Sequence, residues 1–105
     1  MKDFINYYIQ CSLSKKQVFD TMVHTLPAFM WRQGDSDEQG PYISGADGNS
    51  IQIKLWLGEA QIGMSISFRR AWMDVGDREK SKSELVEVID KSVIPLLGVV
   101  TKKDA

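Results

Sequence analysis

The residue types that carry most protein chemistry are scarce in this sequence. It holds one histidine, His24, and one cysteine, Cys11, and it contains neither a glycine-rich phosphate loop nor a nucleophile elbow. His24 falls on the polar side of a predicted helix, four residues after Asp20. Cys11 falls in an alternating strand pattern, which is typical of a small buried hydrophobe. We therefore predict no catalytic residue and no cofactor.

An acidic segment, DSDEQG at residues 35–40, is the nearest approach to a metal site. Its first, third and fifth side chains have the spacing of the first three ligands of a calcium loop, and its glycine stands at the turn position. The twelfth position of such a loop is a bidentate Glu, and this chain has Ala46 there. We predict a solvated polar loop over residues 33–40 and no bound metal.

Arg70 interrupts the strongest alternating pattern in the chain. From Ile62 to Phe68 apolar side chains take every second position, and Arg70 occupies the next apolar slot. Its stem could cover the rim of the core while the guanidinium meets a nearby carboxylate. Alternatively, Arg70 and Trp72 could form a ligand site, with Arg70 pairing with the carboxylate of a small apolar acid held between helices and sheet.

Hydrophobic periodicity supplies the elements that position these groups. Residues 4–13 alternate as a strand, and the following segment predicts a helix because Ser14 and Gln17 form a capping box. Pro27 ends that helix. Residues 29–32 are predicted to form a short strand.

Residues 42–68 are typical of a β-meander. A three-residue loop at 46–48, with Gly48 in the left-handed conformation, would set Ile43 opposite Ile51. The next hairpin is predicted to place Trp56 over Gly63, which has no side chain of its own. Its other predicted pairs are Leu57 with Ile62, Leu55 with Met64, Ile53 with Ile66, and Ile51 with Phe68.

The C-terminal third predicts one amphipathic helix with an apolar stripe of Leu85, Val88, Ile89 and Val93, which Pro95 ends or bends. Residues 96–100 are expected to pack at the domain's edge, and residues 101–105 to be frayed. The fold class is therefore a single α+β domain, residues 1–105, in the order β-α-β-β-β-β-α. We expect a two-layer sandwich of a mostly antiparallel sheet with both helices on one face.

Composition limits the class of partner. The 105 residues are 43% hydrophobic and 26% charged, which is ordinary for one globular domain. The formal charge of -1 is too balanced for the basic field that nucleic acids require. The N-terminus lacks the apolar core of a signal peptide, and no apolar run approaches the roughly 18 residues of a membrane span. We predict a cytoplasmic protein with no nucleic-acid or membrane partner.

The alternation also assigns side chains to the sheet face turned away from the helices. Three aromatic residues fall there, Phe4, Tyr8 and Trp56, together with Lys54 and Arg69. Monomers seldom expose large apolar patches, and aromatic residues and Arg are enriched at interface centres. We therefore predict a small non-enzymatic binding module that uses this face to bind a protein partner or to form a homodimer.

Two alternatives stay open beside this prediction. In the first, the three aromatic residues form no exposed patch, because their strands are not adjacent or because the segment 33–40 folds over the outer face and covers them. In the second, the protein is a carrier of a small apolar acid, anchored by Arg70.

Overall fold

The computed structural model of the chain describes residues 4–38, 40–48, 51–58, 61–68 and 75–104, the side chains of 75–78 and 81 excepted. It confirms the α+β class. The elements are β1 (Phe4–Gln10), α1 (Lys15–Thr25), β2 (Met30–Ser36), β3 (Gly40–Ala46), β4 (Ile51–Leu57), β5 (Gln61–Phe68), α2 (Val75–Val88), a π-helical turn (Ile89–Val93), α3 (Ile94–Leu97) and β6 (Val99–Asp104).

The six strands form one sheet in the order β2-β3-β4-β5-β1-β6, and every neighbouring pair is antiparallel. Strands β2 to β5 are a meander of hairpins. The first strand then inserts between β5 and β6, so that β2 and β6 are the two edges. Helix α1, which precedes the meander, and the helices that follow it pack on the same face of the sheet. This is the predicted two-layer arrangement.

The predicted register of the β4–β5 hairpin is confirmed at all five positions. Trp56 pairs with Gly63. The four inward pairs are Ile51 with Phe68, Ile53 with Ile66, Leu55 with Met64, and Leu57 with Ile62. A one-residue slip would turn the whole apolar set to the other face, so the two-residue period determines this register strongly.

The predicted register of β3 on β4 is wrong. Ile43 lies opposite Leu55, not Ile51. The last pair of the ladder is Ala46 with Gln52. Beyond it the Asp47 N–H donates to the Ile51 carbonyl at 3.2 Å, and Asp47 Oδ1 accepts from the Ile51 N–H at 3.1 Å. The turn therefore begins one residue later, with Gly48 left-handed as predicted (φ 79°). The shift is an even number of residues, so Ile43 still faces the core.

The predicted polar loop at residues 33–40 is also wrong. Residues 33–36 continue β2 and pair with the start of β3, and Gln33 lies opposite Ile43. Because β2 is an edge strand with mostly exposed side chains, it carries no alternating pattern that would reveal it. The segment extends the sheet at its edge, and its residues 33–36 do not fold over the outer face.

The core lies between the sheet and the helices. The capping box of α1 forms as predicted: the Gln17 N–H donates to Ser14 Oγ at 3.2 Å, and the Ser14 N–H donates to Gln17 Oε1 at 2.9 Å. This cap sets the helix start so that Val18 and Met22 face the sheet and are buried. Full burial of such a side chain contributes roughly 1.5–3 kcal/mol. Cys11 is buried as predicted.

The C-terminal helix passes through Pro95 without ending there. In the π turn, the Ile94 N–H donates to the Ile89 carbonyl, one residue further back than in an α-helix. Proline lacks an N–H and its ring collides with the carbonyl four residues earlier, and the wider turn gives that carbonyl room. The helix ends at Gly98, where a Cβ would collide with the Gln10 carbonyl oxygen.

The chain after Gly98 is a strand, which corrects the expectation that residues 101–105 are frayed. Residues 101–104 belong to β6 and pair with β1, with Tyr7 opposite Lys103. Thr101 Oγ1 donates to the Tyr8 carbonyl at 3.1 Å. Close contact at Gly98 brings the two backbones together, so a segment with little hydrophobic pattern still finds a partner. Within the described part of the chain, no helix is long and apolar enough to cross a membrane.

Candidate functional site

The sheet face turned away from the helices carries one continuous cross-strand row, here called the aromatic row. The registers align its members from edge to edge. In order from β2 to β6 they are Gly34, Tyr42, Trp56, Gly63, Tyr8 and Lys102. Three aromatic side chains thus share one row with two glycines.

The neighbouring row on the same face is polar and carries most of the charge. Its members from β2 to β6 are Arg32, Ser44, Lys54, Ser65, Asn6 and Asp104. At the β6 edge, Asp104 lies 3.9 Å from the Lys102 ammonium. Among the described outward-facing positions of these two rows, cations therefore outnumber carboxylates.

Tyr42 and Trp56 form a ring–ring contact within the aromatic row. Their ring centroids lie 5.2 Å apart and the rings are tilted by 56°. Lys54 Nζ lies 4.7 Å from the Tyr42 centroid and 4.4 Å from that of Trp56. Such a ring pair contributes about 0.5–1.5 kcal/mol beyond its buried area, and an exposed cation–π contact about 0.5–1 kcal/mol. This cluster therefore has a preferred geometry without a partner.

Gly34, which has no side chain, leaves room for the Tyr42 ring to pack against its backbone. A Cβ at Gly34 would lie inside the space taken by the Tyr42 side chain, 2.8 Å from Cε1 and closer still to Cζ and Oη. The ring therefore extends towards the β2 edge and rests on bare backbone. Trp31 does the same on the inner face, where a Cβ at Gly45 would lie 2.6 Å from its ring.

Gly63, the second glycine of the row, is not covered. A Cβ added there meets no atom of the described residues within 4 Å, so the prediction that Trp56 covers Gly63 is wrong. The pairing is as predicted, but the indole turns towards Tyr42 and Lys54. A cleft of about 220 Å³ remains above Gly63 between Trp56 and Tyr8. Its lining residues are Asn6, Tyr7, Tyr8, Trp56, Gly63, Met64 and Ser65.

Of the predicted partner-binding residues, the structure brings three together at or beside this cleft: Tyr8, Trp56 and Lys54. Phe4 shares the face but pairs with Ser67, near the other end of β1. Arg69 lies outside the described residues, as do the residues of the alternative ligand site, Arg70 and Trp72.

Sequence reasoning missed Tyr42 and Lys102. The wrong β3 register put Tyr42 opposite Gln52 and away from Trp56, although its outward direction followed from Ile43 being buried. Lys102 was assigned to the frayed tail; its Nζ lies 5.8 Å from the Tyr8 ring centroid. Lys102 thus forms the cationic end of the aromatic row.

On the inner face, Tyr7 forms a polar link between elements that are distant in sequence. Its buried hydroxyl donates to Asp90 Oδ1 at 3.0 Å, and Lys103 Nζ lies 3.4 Å from Asp90 Oδ2. Burial, and then the Asp90 carboxylate, raise the pKa of the Tyr7 phenol well above its usual range. This link holds the π turn against β1 and β6, and it faces away from the outer cleft.

Two further hollows are lined in part by α1 or by the residues just before it. An open groove of about 540 Å³ on α1 includes His24, Asp20 and Leu96. A second cleft, of about 440 Å³, lies at the Ile62 end of β5. Its lining residues are Cys11, Leu13, Ser14, Lys15, Pro41, Leu57, Gly58 and Ile62. In the described residues, no group of three His, Cys, Asp or Glu side chains is arranged to hold a metal ion.

Neither the protein-family models nor the curated proteins compared with this chain give a match.

Proposed function

We propose that this protein is a non-enzymatic binding module of the cytoplasm that associates with a protein, either a partner or a second copy, through its outer sheet face. The single observation that carries the proposal is the aromatic row with its open cleft over Gly63. Trp and Tyr are the residues most often found at the energetic centre of protein interfaces, where they line or fill small pockets.

The position of the row in the sheet supports this proposal. Tyr42, Trp56 and Tyr8 belong to three strands and face away from both helices. Within the described residues, the cations that lie over these rings are Lys54 and Lys102. The core is complete without these rings, because the buried apolar cluster lies wholly on the other face.

The first test is the oligomeric state. We expect sedimentation velocity of the wild-type chain over a hundredfold concentration range to show self-association if the second copy is the partner. Trp56→Ala should then shift the distribution to monomer, whereas His24→Ala, on the exposed side of α1, should not. A wild-type monomer at every concentration removes the homodimer and leaves the heterologous partner.

The heterologous partner is tested by cross-linking the wild type, Trp56→Ala and His24→Ala to the proteins they bind and comparing the complexes recovered. A protein recovered with wild type and with His24→Ala but lost with Trp56→Ala is the expected result. If the chain is monomeric and the three proteins recover identical sets, the proposed function is wrong.

The cleft near Cys11 favours a second candidate function, the carrier of a small apolar acid. Its volume of about 440 Å³ lies within the usual range of ligand pockets, roughly 300–1,000 Å³. Its walls include Leu57, Ile62 and Lys15, and the Lys15 ammonium donates to the Gly34 carbonyl at 3.3 Å. It lies at the opposite end of β5 from the segment that leads to Arg70.

A thermal-shift screen of fatty and aromatic acids tests this candidate. Binding at this cleft should be weakened by Lys15→Ala, and binding at the predicted anchor by Arg70→Ala. If no acid raises the melting temperature, or if both variants respond as wild type does, the protein is not such a carrier.

A further inference from the structure

We infer that the cleft over Gly63 receives one aromatic side chain from an acidic segment of a partner protein. This inference rests on the proposed function and names the chemistry of the partner. The size of the cleft and the charge of the two rows support it. The contacts of Lys54 argue against the competing ligand, single-stranded nucleic acid.

The dimensions of the cleft match one inserted ring. Trp56, Gly63 and Tyr8 pair across three adjacent strands, which are spaced by about 4.8 Å, so the two walls start about 10 Å apart. One aromatic ring with its contact distance on both sides takes up about 7–8 Å, and two stacked rings take up more than about 10 Å, so the space admits one ring. The volume of about 220 Å³ is below the roughly 300–1,000 Å³ of small-molecule pockets. It therefore suits a side chain and not a cofactor.

The charge around the cleft favours an acidic partner. Arg32, Lys54 and Lys102 are the cations of the two described rows, and Asp104 is their only carboxylate. The chain as a whole carries -1, so these two rows are more positive than the rest of the chain taken together. In a symmetric homodimer the same patch would meet itself and oppose cation to cation.

The arrangement of these cations disfavours single-stranded nucleic acid. Such ligands need a positively charged groove that follows the phosphate backbone. Lys54 instead lies over the rings of Tyr42 and Trp56, and Asp104 reduces the charge near Lys102. A few carboxylates beside one inserted ring complement this pattern better than a row of phosphates.

Gly63→Val provides a variant that blocks the cleft without disturbing the fold. A Cβ at Gly63 meets no described atom within 4 Å, and valine is favoured in strands. Gly63→Ala is the matched control, because its single methyl leaves most of the cleft open. Lys54→Gln and Lys102→Gln remove charge, with Lys80→Gln, exposed on α2, as their control.

The probe is the peptide EDFDE, titrated into ¹⁵N-labelled full-length protein, with EDADE and KKFKK as controls. We expect the amides of Gly63 and Ser65 to shift, and EDADE to bind at least about tenfold more weakly because the ring contacts are lost. Gly63→Val should abolish the shifts, Gly63→Ala should retain them, and each Lys→Gln change should weaken binding severalfold. Higher salt should weaken binding of EDFDE.

Three results would overturn the inference: no shift with EDFDE at millimolar concentration, equal binding of EDFDE and KKFKK, or tighter binding of oligo(dT) than of EDFDE. If EDFDE fails while Gly63→Val dissociates a dimer seen by sedimentation, the proposed function stands with a second copy as the occupant. If EDFDE fails and Trp56→Ala changes no association, both are wrong.

Discussion

Gly34 and Gly63 occupy one cross-strand row on the same sheet face, and each pairs with an aromatic residue on the neighbouring strand. Gly34 is covered by the ring of its partner, Tyr42, whereas Gly63 lies bare beside Trp56. The half of the face towards β2 is therefore filled by its own side chains. The half towards β1 presents a cleft.

The difference between the two glycines comes from side-chain direction and not from pairing. Trp56 leans towards Tyr42 and Lys54, and Tyr42 leans further the same way over Gly34. The rings are thus displaced in series towards the β2 edge. A glycine in a strand gives room for a ring, but the neighbours of that ring decide whether it takes the room.

The largest expected effect is that of Gly34→Val, which fills the covered position. Its side chain would collide with the Tyr42 ring, and overpacking of this kind destabilises by about 1–3 kcal/mol. Urea unfolding followed by circular dichroism measures the loss. The double variant Gly34→Val/Tyr42→Ala should lose less than the sum of the two single changes. Wild-type stability of Gly34→Val would show that Tyr42 does not occupy this position.

Tyr42→Ala should have the next largest effect. It removes the contact with Trp56 and one of the two rings under Lys54, which together contribute about 1–2 kcal/mol. The same unfolding experiment measures it. Tyr42→Phe keeps the ring and is expected to retain most of the stability; if it loses as much as Tyr42→Ala, the hydroxyl and not the ring is responsible.

Gly63→Val should act in the opposite direction and stabilise by about 0.5–1 kcal/mol, because valine replaces a flexible glycine in open space within a strand. A higher urea midpoint with an unchanged slope is the expected observation. A destabilised Gly63→Val would mean that the Trp56 ring covers this glycine after all.

Lys54→Gln should give the smallest effect, a loss of about 0.5 kcal/mol from its cation–π contacts with two half-buried rings. Lys80→Gln, on the exposed side of α2, controls for the change of net charge. Equal midpoints for the two variants would indicate that Lys54 contributes nothing to the ordering of Tyr42 and Trp56.

The sequence predicted best those parts of the sheet that are buried on one side along their whole length. Strands β4 and β5 alternate without interruption, so their register followed from the period of two. The β3–β4 pairing did not follow in the same way, because a turn signal at Asp47 and Gly48 is compatible with more than one loop length. The register error was an even number of residues, so each side chain of β3 still faced the predicted side of the sheet, and Ile43 was buried as predicted.

The second half of β2, residues 33–36, and the whole of β6 escaped prediction for one physical reason. Strands β2 and β6 have mostly exposed side chains, so neither carries the alternation by which strands are recognised. Edge strands in natural proteins seldom carry long apolar patterns, because an exposed apolar edge would pair with other chains and aggregate. Contacts that are distant in sequence reveal them instead, such as Gly98 against the Gln10 carbonyl.

The candidate site was predictable only in part. Tyr8, Trp56 and Lys54 were placed on the correct face by parity. Whether Trp56 covers Gly63 depends on a rotamer, and rotamers depend on neighbours that the sequence alone does not bring together. Tyr42 had to be in register before the direction of the Trp56 ring could be anticipated.

The central place of β1 has a consequence for the order of events during synthesis. Of the six strands this one is made first, yet its two neighbours in the sheet, β5 and β6, are the last two to be made, and Asn6 must find Asp104, 98 residues later in the sequence. The meander can form while translation continues, because its hairpins are local. The nascent chain therefore holds β1 unpaired and largely apolar until β5 and β6 have been made, and this is the period in which chaperones would protect it.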